Sequence, residues 1–241
     1  MSVSELVLSL ADNKQLLGMR YAEWTSATPS LEADIAAAAM GLDDIGHARV
    51  LYGCLSELGA DPRGPERDSD PASYCNVAFL DDSWTEWDQF VAANAILDTA
   101  FTLVIEALVE GEVEVLRTRL RKMVNEEKFH FLHGRSWLRE GVNPDVLTVA
   151  ERDAVGFFGP DSETLPGTNV TGEQLRRRLA ERLGVGMRLW GFTGAQDPEL
   201  RRRRRIKPGH IDAHTFDMLT GLLEKRYLLA GRAEAKAGPG D

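Results

Sequence analysis

The sequence predicts an all-α protein, a four-helix bundle followed by extra C-terminal helices. Three observations predict it. Apolar residues recur at helical spacing through several long stretches, and no stretch keeps the two-residue alternation of a strand. The same polar motif, two acids, two spacers and a histidine, also stands in two of the helical stretches, as Asp43-Asp44-Ile45-Gly46-His47 and Glu126-Glu127-Lys128-Phe129-His130. In a helix the i, i+3 pair lies on one face about a turn apart, so each copy projects a carboxylate and an imidazole together. At this composition only about 0.1 copies with both acids are expected by chance, and the repeat therefore organises the reading.

Each element follows from local signals. Leu6, Val7, Leu10, Leu17 and Tyr21 mark a first helix from about Ser4 to Trp24, and Thr25 to Ser30, with Pro29, breaks it. Ser30 is a suitable N-cap for a second helix that runs through Ala36 to Met40 and on to Leu58, with Gly59 as its stop. Asp61 to Asp81 is rich in Pro, Asp, Ser and Gly and reads as a long loop whose Tyr74, Val77 and Phe79 lie against the bundle. A third helix is expected from Asp82 or Ser83 to Glu110, and a fourth from about Glu112 to Glu140, separated by Gly111 and closed by Gly141.

Beyond them, Asn143-Pro144 opens a helix that reaches Phe158, and Thr171-Gly172-Glu173 opens a short arginine-rich one. Gly184 to Asp197, with Trp190 and Phe192, reads as irregular; His210 to Arg232 reads as a last helix, and Ala233 to Asp241 as a frayed tail. With 241 residues and no clear linker, the expectation is a single domain over 1–241, its core bundle at about 4–141 and a helical extension at about 142–232.

Composition narrows the function. A formal charge of −10 argues against general affinity for nucleic acid or an anionic membrane, so any basic partner site must be a patch. Cys54 and Cys75 form no CxxC pair and suit a reducing compartment. Met1 to Glu5 lacks a basic flank and a signal-type apolar run, and no 18-residue uncharged apolar stretch follows. The expected location is cytoplasmic, with neither membrane nor nucleic acid as partner.

Carboxylates from two helices and an acid-x-x-His pair from each of two others are the donors of di-metal sites in helical bundles. Antiparallel helices joined by a short turn bring residues equidistant from the turn to one level, which locates the missing carboxylates. Reflection of Glu127 through a turn near 112 falls on Asp98, the only charge between Ala92 and Ile105, where an unpaired carboxylate would be costly to bury. Glu106 would sit about 12 Å further along the axis at 1.5 Å per residue.

Between the first two helices the same operation carries Asp44 to about Gln15 and His47 to about Asp12, while Glu23 lies too near the turn. A carboxamide is a weaker ligand for a hard cation than a carboxylate. Asp12 is therefore the rival at the helix-1 position, although Asp12-Asn13 also fits a structural role.

Other signals have ordinary readings. His133 is expected to pack, and His210 and His214, with Asp212 nearby, form a possible rival metal pair that no second acidic helix faces. Arg201 to Arg205 with Lys207, and Arg176 to Arg178, read as solvated or interface faces, or else as contacts to phosphate groups of a ligand. Trp24, Trp84, Trp87, Trp137 and Trp190 read as core or interface anchors.

The chain resembles the A and C subunits of the bacterial phenylacetyl-CoA epoxidase, the ferritin-like pair of a multicomponent oxygenase acting on an aromatic acyl-CoA. The likeness to the C subunit is carried by Leu10 to Asn13, Glu23-Trp24, Pro29 with Leu31-Glu32, Gly41 to Asp43, Ala48-Arg49, Ser136 to Leu138 and the region from Gly209-His210 to Arg226. The metal motif is instead similar to that of the catalytic A subunit: Asp44-Ile45-Gly46-His47, Asp98, and Glu126 to His130.

By this resemblance Asp44, His47, Asp98, Glu127 and His130 would be iron ligands, and the helix-1 glutamate falls on Gln15. The resemblance implies a di-iron monooxygenase subunit, reduced by an external reductase component, that uses O2 to epoxidise the ring of the acyl-CoA. It would work in an oligomer with a homologous ferritin-like subunit, with Asp43 and Glu126 as possible acceptors for the free imidazole nitrogens. A typical C subunit lacks much of this ligand set and is a metal-free scaffold, which makes a structural partner subunit the alternative. An iron-handling ferritin-like protein is a third reading.

Overall fold

The computed structural model describes residues 1–60, 74–184 and 211–221. Among them no strand occurs; Thr164 and Thr171 meet in an isolated bridge. Helix α1 spans Val3–Glu23 and opens on a reciprocal cap, in which the Ser2 hydroxyl accepts from the Glu5 amide and the Glu5 carboxylate accepts from the Ser2 amide. Helix α2, Leu31–Glu57, is capped by Ser30 as expected. The two cross in unusually close contact. A Cβ on Gly18 would stand 2.8 Å from the Gly41 carbonyl oxygen, and one on Gly41 would stand 3.0 Å from that of Gly18, so only glycine permits this spacing.

Helix α3 runs Trp87–Glu110 through the centre, with its middle six residues, Ala93–Asp98, wound as a π-helix. It starts later than the expected Asp82 or Ser83, because the chain there is held as a cap: the Ser83 amide donates to Asp212, and the Thr85 and Glu86 amides donate to the Gln89 side chain. By length and composition α3 could cross a membrane, but 94% of its most apolar window is buried against the other helices.

The expected fourth helix is two pieces, α4 (Glu114–Arg119) and α5 (Arg121–Glu140), joined at the fully buried Leu120. Helix α6, Pro144–Phe158, is capped by Asn143, and α7, Gly172–Leu183, by Thr171, with Gly184 taking the left-handed conformation at its end. Residues 213–221 are helical. The helices beyond the bundle pack back on it, as where Phe157 meets Phe101 edge-on at 4.9 Å. Arg201 to Arg205, Lys207, His210, Trp190 and Phe192 lie outside the described residues.

Tyr74 and Val77 are buried against the bundle, and Phe79 packs on it, as the sequence suggests. The polar residues Asp12 and Asn13 dock this segment: Asp12 accepts from the Cys75 amide at 2.7 Å and the Tyr52 hydroxyl at 2.6 Å, and Asn13 accepts from the Val77 amide at 2.9 Å. Trp24, Trp84, Trp87 and Trp137 form an aromatic cluster with Tyr21 and Phe90. Trp84 is buried and the other three tryptophans are half-buried.

Candidate functional site

Four helices send ionisable side chains into one buried space: Lys14 from α1, Asp44 and His47 from α2, Asp98 from α3, and Glu127 and His130 from α5. None exceeds 4% exposure. Local features set them there. The Gly18–Gly41 crossing lies one turn from Lys14 and brings α1 within its reach of α2. On the other side, a Cβ on Gly134 would stand 2.8 Å from the Ala95 backbone, so α5 rests directly on the π-wound part of α3. That seating sets Glu127 and His130 beside Asp98, and Asn94 reinforces it by donating to the His130 carbonyl at 3.2 Å.

The centre of the cluster is the Lys14 ammonium. Its Nζ donates to Asp44 Oδ1 at 2.8 Å, to Glu127 Oε1 at 2.5 Å and to Asp98 Oδ1, one carboxylate for each of its three protons. Two of the three remaining oxygens have hydrogen-bond partners, and Asp44 Oδ2 has none among the described residues. Asp98 Oδ2 takes the His130 Nδ1 contact at 2.9 Å and accepts from the Tyr21 hydroxyl at 3.3 Å; Glu127 Oε2 accepts from the Thr102 hydroxyl at 2.9 Å. His47 lies with Nε2 3.0 Å from Glu126 and Nδ1 2.9 Å from Glu127 Oε1, the latter a charge contact without hydrogen-bond alignment. His130 Nε2 stands 3.6 Å from Asp43.

Charge in this space is tightly coupled. Burial alone would pull the Lys14 ammonium towards neutrality, but Asp44, Asp98 and Glu127 outweigh it and hold its pKa well above the ordinary value. Burial likewise opposes the charged imidazoles. Asp44 and Glu127 nevertheless lift His47 to about 10, and Glu127 and Asp98 lift His130 to about 9. Glu127 is held well below the usual carboxylate range because Lys14, His130 and His47 overcome its burial. Asp98 moves the other way, pushed up by burial and by the neighbouring Asp44 and Glu127 carboxylates. Three carboxylates from three helices thus share one ammonium, with the two imidazoles held against the same group.

Asp44, Asp98, Glu127 and His130 each bring a ligand atom to within 4.8 Å of the others, a buried grouping of the kind that can hold a metal ion. Its donors have the right chemistry, and its middle does not. An iron pair would need the carboxylate oxygens that Lys14 already holds, and would sit against a fixed positive charge. With Lys14 in place these residues do not fit a di-iron centre.

Of the six residues expected as ligands, five converge here and Gln15 does not join them. Its carboxamide is buried and, among the described residues, neither its nitrogen nor its oxygen has a hydrogen-bond partner. Lys14, one residue earlier, takes the helix-1 position, because Val7, Lys14 and Tyr21 stand at seven-residue intervals along the inward stripe of α1. Asp12, the rival, is committed to Tyr52 and Cys75. His133 packs between Asn94 and Trp137, and burial pushes its pKa down to about 4.

Of the suggested His210–His214 pair, His210 lies outside the described residues; His214 is largely exposed, 3.3 Å from Glu23. Arg176 is turned inward to the Gly159 carbonyl and Asp161, and Arg177 and Arg178 pair with Glu173 and Glu110.

Fold and site together define an all-α, ferritin-like bundle with an ionic core shared by four helices. Residues 1–143 match the family described as phenylacetic acid catabolic protein, more than half of the chain, and the chain belongs to that family. Among its relatives is the C subunit of the 1,2-phenylacetyl-CoA epoxidase of Escherichia coli (strain K12), 28% identical over 153 residues. That match covers 61% of this chain and 61% of the relative, so the chain spans about three fifths of the relative's length.

Proposed function

We propose that this chain is a non-catalytic partner subunit of a phenylacetyl-CoA epoxidase-type oxygenase, supporting a homologous, metal-bearing subunit in the cytoplasm. One observation carries the reading: the Lys14 ammonium holds Asp44, Asp98 and Glu127 at the point where a metal would have to bind them. The leading expectation from the sequence, that the chain itself is the O2-dependent ring epoxidase, gives way on this point to the metal-free alternative. In this reading the cluster is structural. Its charges tie α1, α2, α3 and α5 together, and the reaction on the aromatic acyl-CoA, with its iron and reductase, belongs to the complex.

Two further observations support it. A relative is itself named as one subunit of an epoxidase. Large apolar side chains also stand exposed on two adjacent helices, Leu31, Ile35 and Leu42 on α2 and Phe129 and Leu132 on α5, a surface suited to another subunit.

The test is co-expression with a catalytic subunit of the family under iron-replete conditions, followed by metal analysis of each chain and assay of phenylacetyl-CoA epoxidation. The expected result is a stable complex whose iron resides in the partner, with no stoichiometric iron in this chain. Two irons in this chain, with turnover in the absence of the partner, would overturn the proposal.

A further inference from the structure

We propose that Lys14 is the group that keeps a metal out of this bundle, and that the cage around it is a latent site for one divalent transition-metal ion, opened by removing the ammonium. The inference rests on the metal-free reading of the natural chain.

The geometry is that of a cation site already built. Three carboxylate oxygens from three helices surround one point, at 2.5 and 2.8 Å where Glu127 and Asp44 meet the ammonium, with Asp98 as the third. His130 adds an imidazole to the same group, its ligand atom within 4.8 Å of the others. Metal–oxygen bonds to carboxylates are about 2.0–2.2 Å, so a bound ion asks for a contraction of about 0.3–0.8 Å at Glu127 and Asp44.

The supporting contacts a metal site requires also exist independently of Lys14. Tyr21 donates to Asp98, Thr102 to Glu127, and His47 lies against Glu127. Without the lysine, three buried carboxylates face one another with only the two imidazoles beside them. A dication offsets most of their charge and satisfies their directionality. A truncated side chain at position 14 frees the volume of a lysine side chain, enough to admit the ion.

The experiment uses cobalt(II), whose visible absorption reports an inner-sphere site, with the full-length Lys14→Ala and Lys14→Gln variants beside the natural chain. The natural chain is expected to show no cobalt band and no thermal shift. Each variant is expected to bind about one ion, about 100-fold or more tighter than the natural chain, and to melt at a higher temperature with cobalt than without. Adding His130→Ala to either variant should remove the band, which separates this site from surface histidines.

Folded variants that bind no cobalt would overturn the inference while leaving the metal-free reading intact. Stoichiometric cobalt in the natural chain would overturn that reading itself. Variants that fail to fold at any cobalt concentration would also count against the inference, since a cation able to replace the ammonium has to restore the fold.

Discussion

Helix α1 carries two buried cations fewer than two turns apart, Lys14 and Arg20, both fully inaccessible, and their surroundings differ in kind. Lys14 is met by three carboxylates whose side chains are at most 1% exposed. Arg20 is met by neutral and charged acceptors alike: the Leu80 and Asp81 carbonyls at 3.1 Å and the Ser83 hydroxyl at 2.9 Å, with Glu23 bonded twice at 3.0 Å and Asp212 at 3.5 Å. Those two carboxylates retain 12% and 23% exposure.

The guanidinium is a staple, its planar fork joining α1 to the 80–83 segment and to the start of the helix at 213–221. The ammonium is a counter-ion, a compact point charge enclosed by anions from other helices. The difference teaches that burial of a cation has no single meaning. What matters is whether its partners could stay in place without it.

The largest effect expected from breaking this contrast is at Lys14. Lys14→Met keeps the side-chain length and removes the charge, which strands three carboxylates with no route to water. Removal of one partner of a buried ionic group costs about 3–5 kcal/mol, or roughly 10 °C of melting temperature in a chain of this size. Arg20→Met should cost less, about 2 kcal/mol, because Glu23 and Asp212 can rehydrate and the loss falls on two carbonyls and a hydroxyl. Thermal and urea unfolding of the two variants check the order. Equal losses would show that the Lys14 cage relaxes by protonation or takes up water.

Alkaline titration sharpens the same contrast. His47 and His130 have folded pKa values of about 10 and about 9, against roughly 6.5 for an unfolded chain. A raised folded pKa means that the native state holds the proton more tightly. The stabilisation is therefore fully present below about pH 6.5 and is lost as pH rises through 9 and 10. The expected fall in melting temperature between pH 7 and 10.5 is at least about 2–4 °C, the equivalent of about 1 kcal/mol. Arg20 touches neither of these imidazoles, so Arg20→Met should retain the alkaline fall in full, whereas His47→Gln should lose part of it.

Much of this arrangement was legible in the sequence. Ser30, Asn143 and Thr171 announced their helices, and reflection through the turn near Gly111 found Asp98 because two antiparallel helices leave little freedom in height. The same operation between α1 and α2 reached the right level and the wrong residue, since it fixes position along an axis and says nothing about rotation around it.

The missing angle was present in another signal. The inward stripe of α1 reads Val7, Leu10, Leu17, Tyr21, and the gap at its centre is Lys14, a lysine at the position where an apolar residue was due. Neither the π-winding of Ala93–Asp98 nor the break at Leu120 has a glycine or proline to mark it; both are set by packing between helices. The docking of Cys75 and Val77 on Asp12 and Asn13 likewise depends on contacts more than sixty residues apart.

The smallest effect is expected just beyond the staple. His214 touches Glu23 at 3.3 Å while its own side chain is 66% exposed, and Glu23 already receives two bonds from the Arg20 guanidinium. Removing an exposed partner from a carboxylate that remains paired leaves no buried charge behind, so His214→Ala should change stability by less than about 0.5 kcal/mol. The comparison with Arg20→Met isolates the cause, because both substitutions take a contact from the same carboxylate and only one leaves buried carbonyls without a donor. A loss at His214 approaching that at Arg20 would mean that the staple depends on its exposed rim, and the distinction between enclosed counter-ion and exposed neighbour would have to be redrawn along α1.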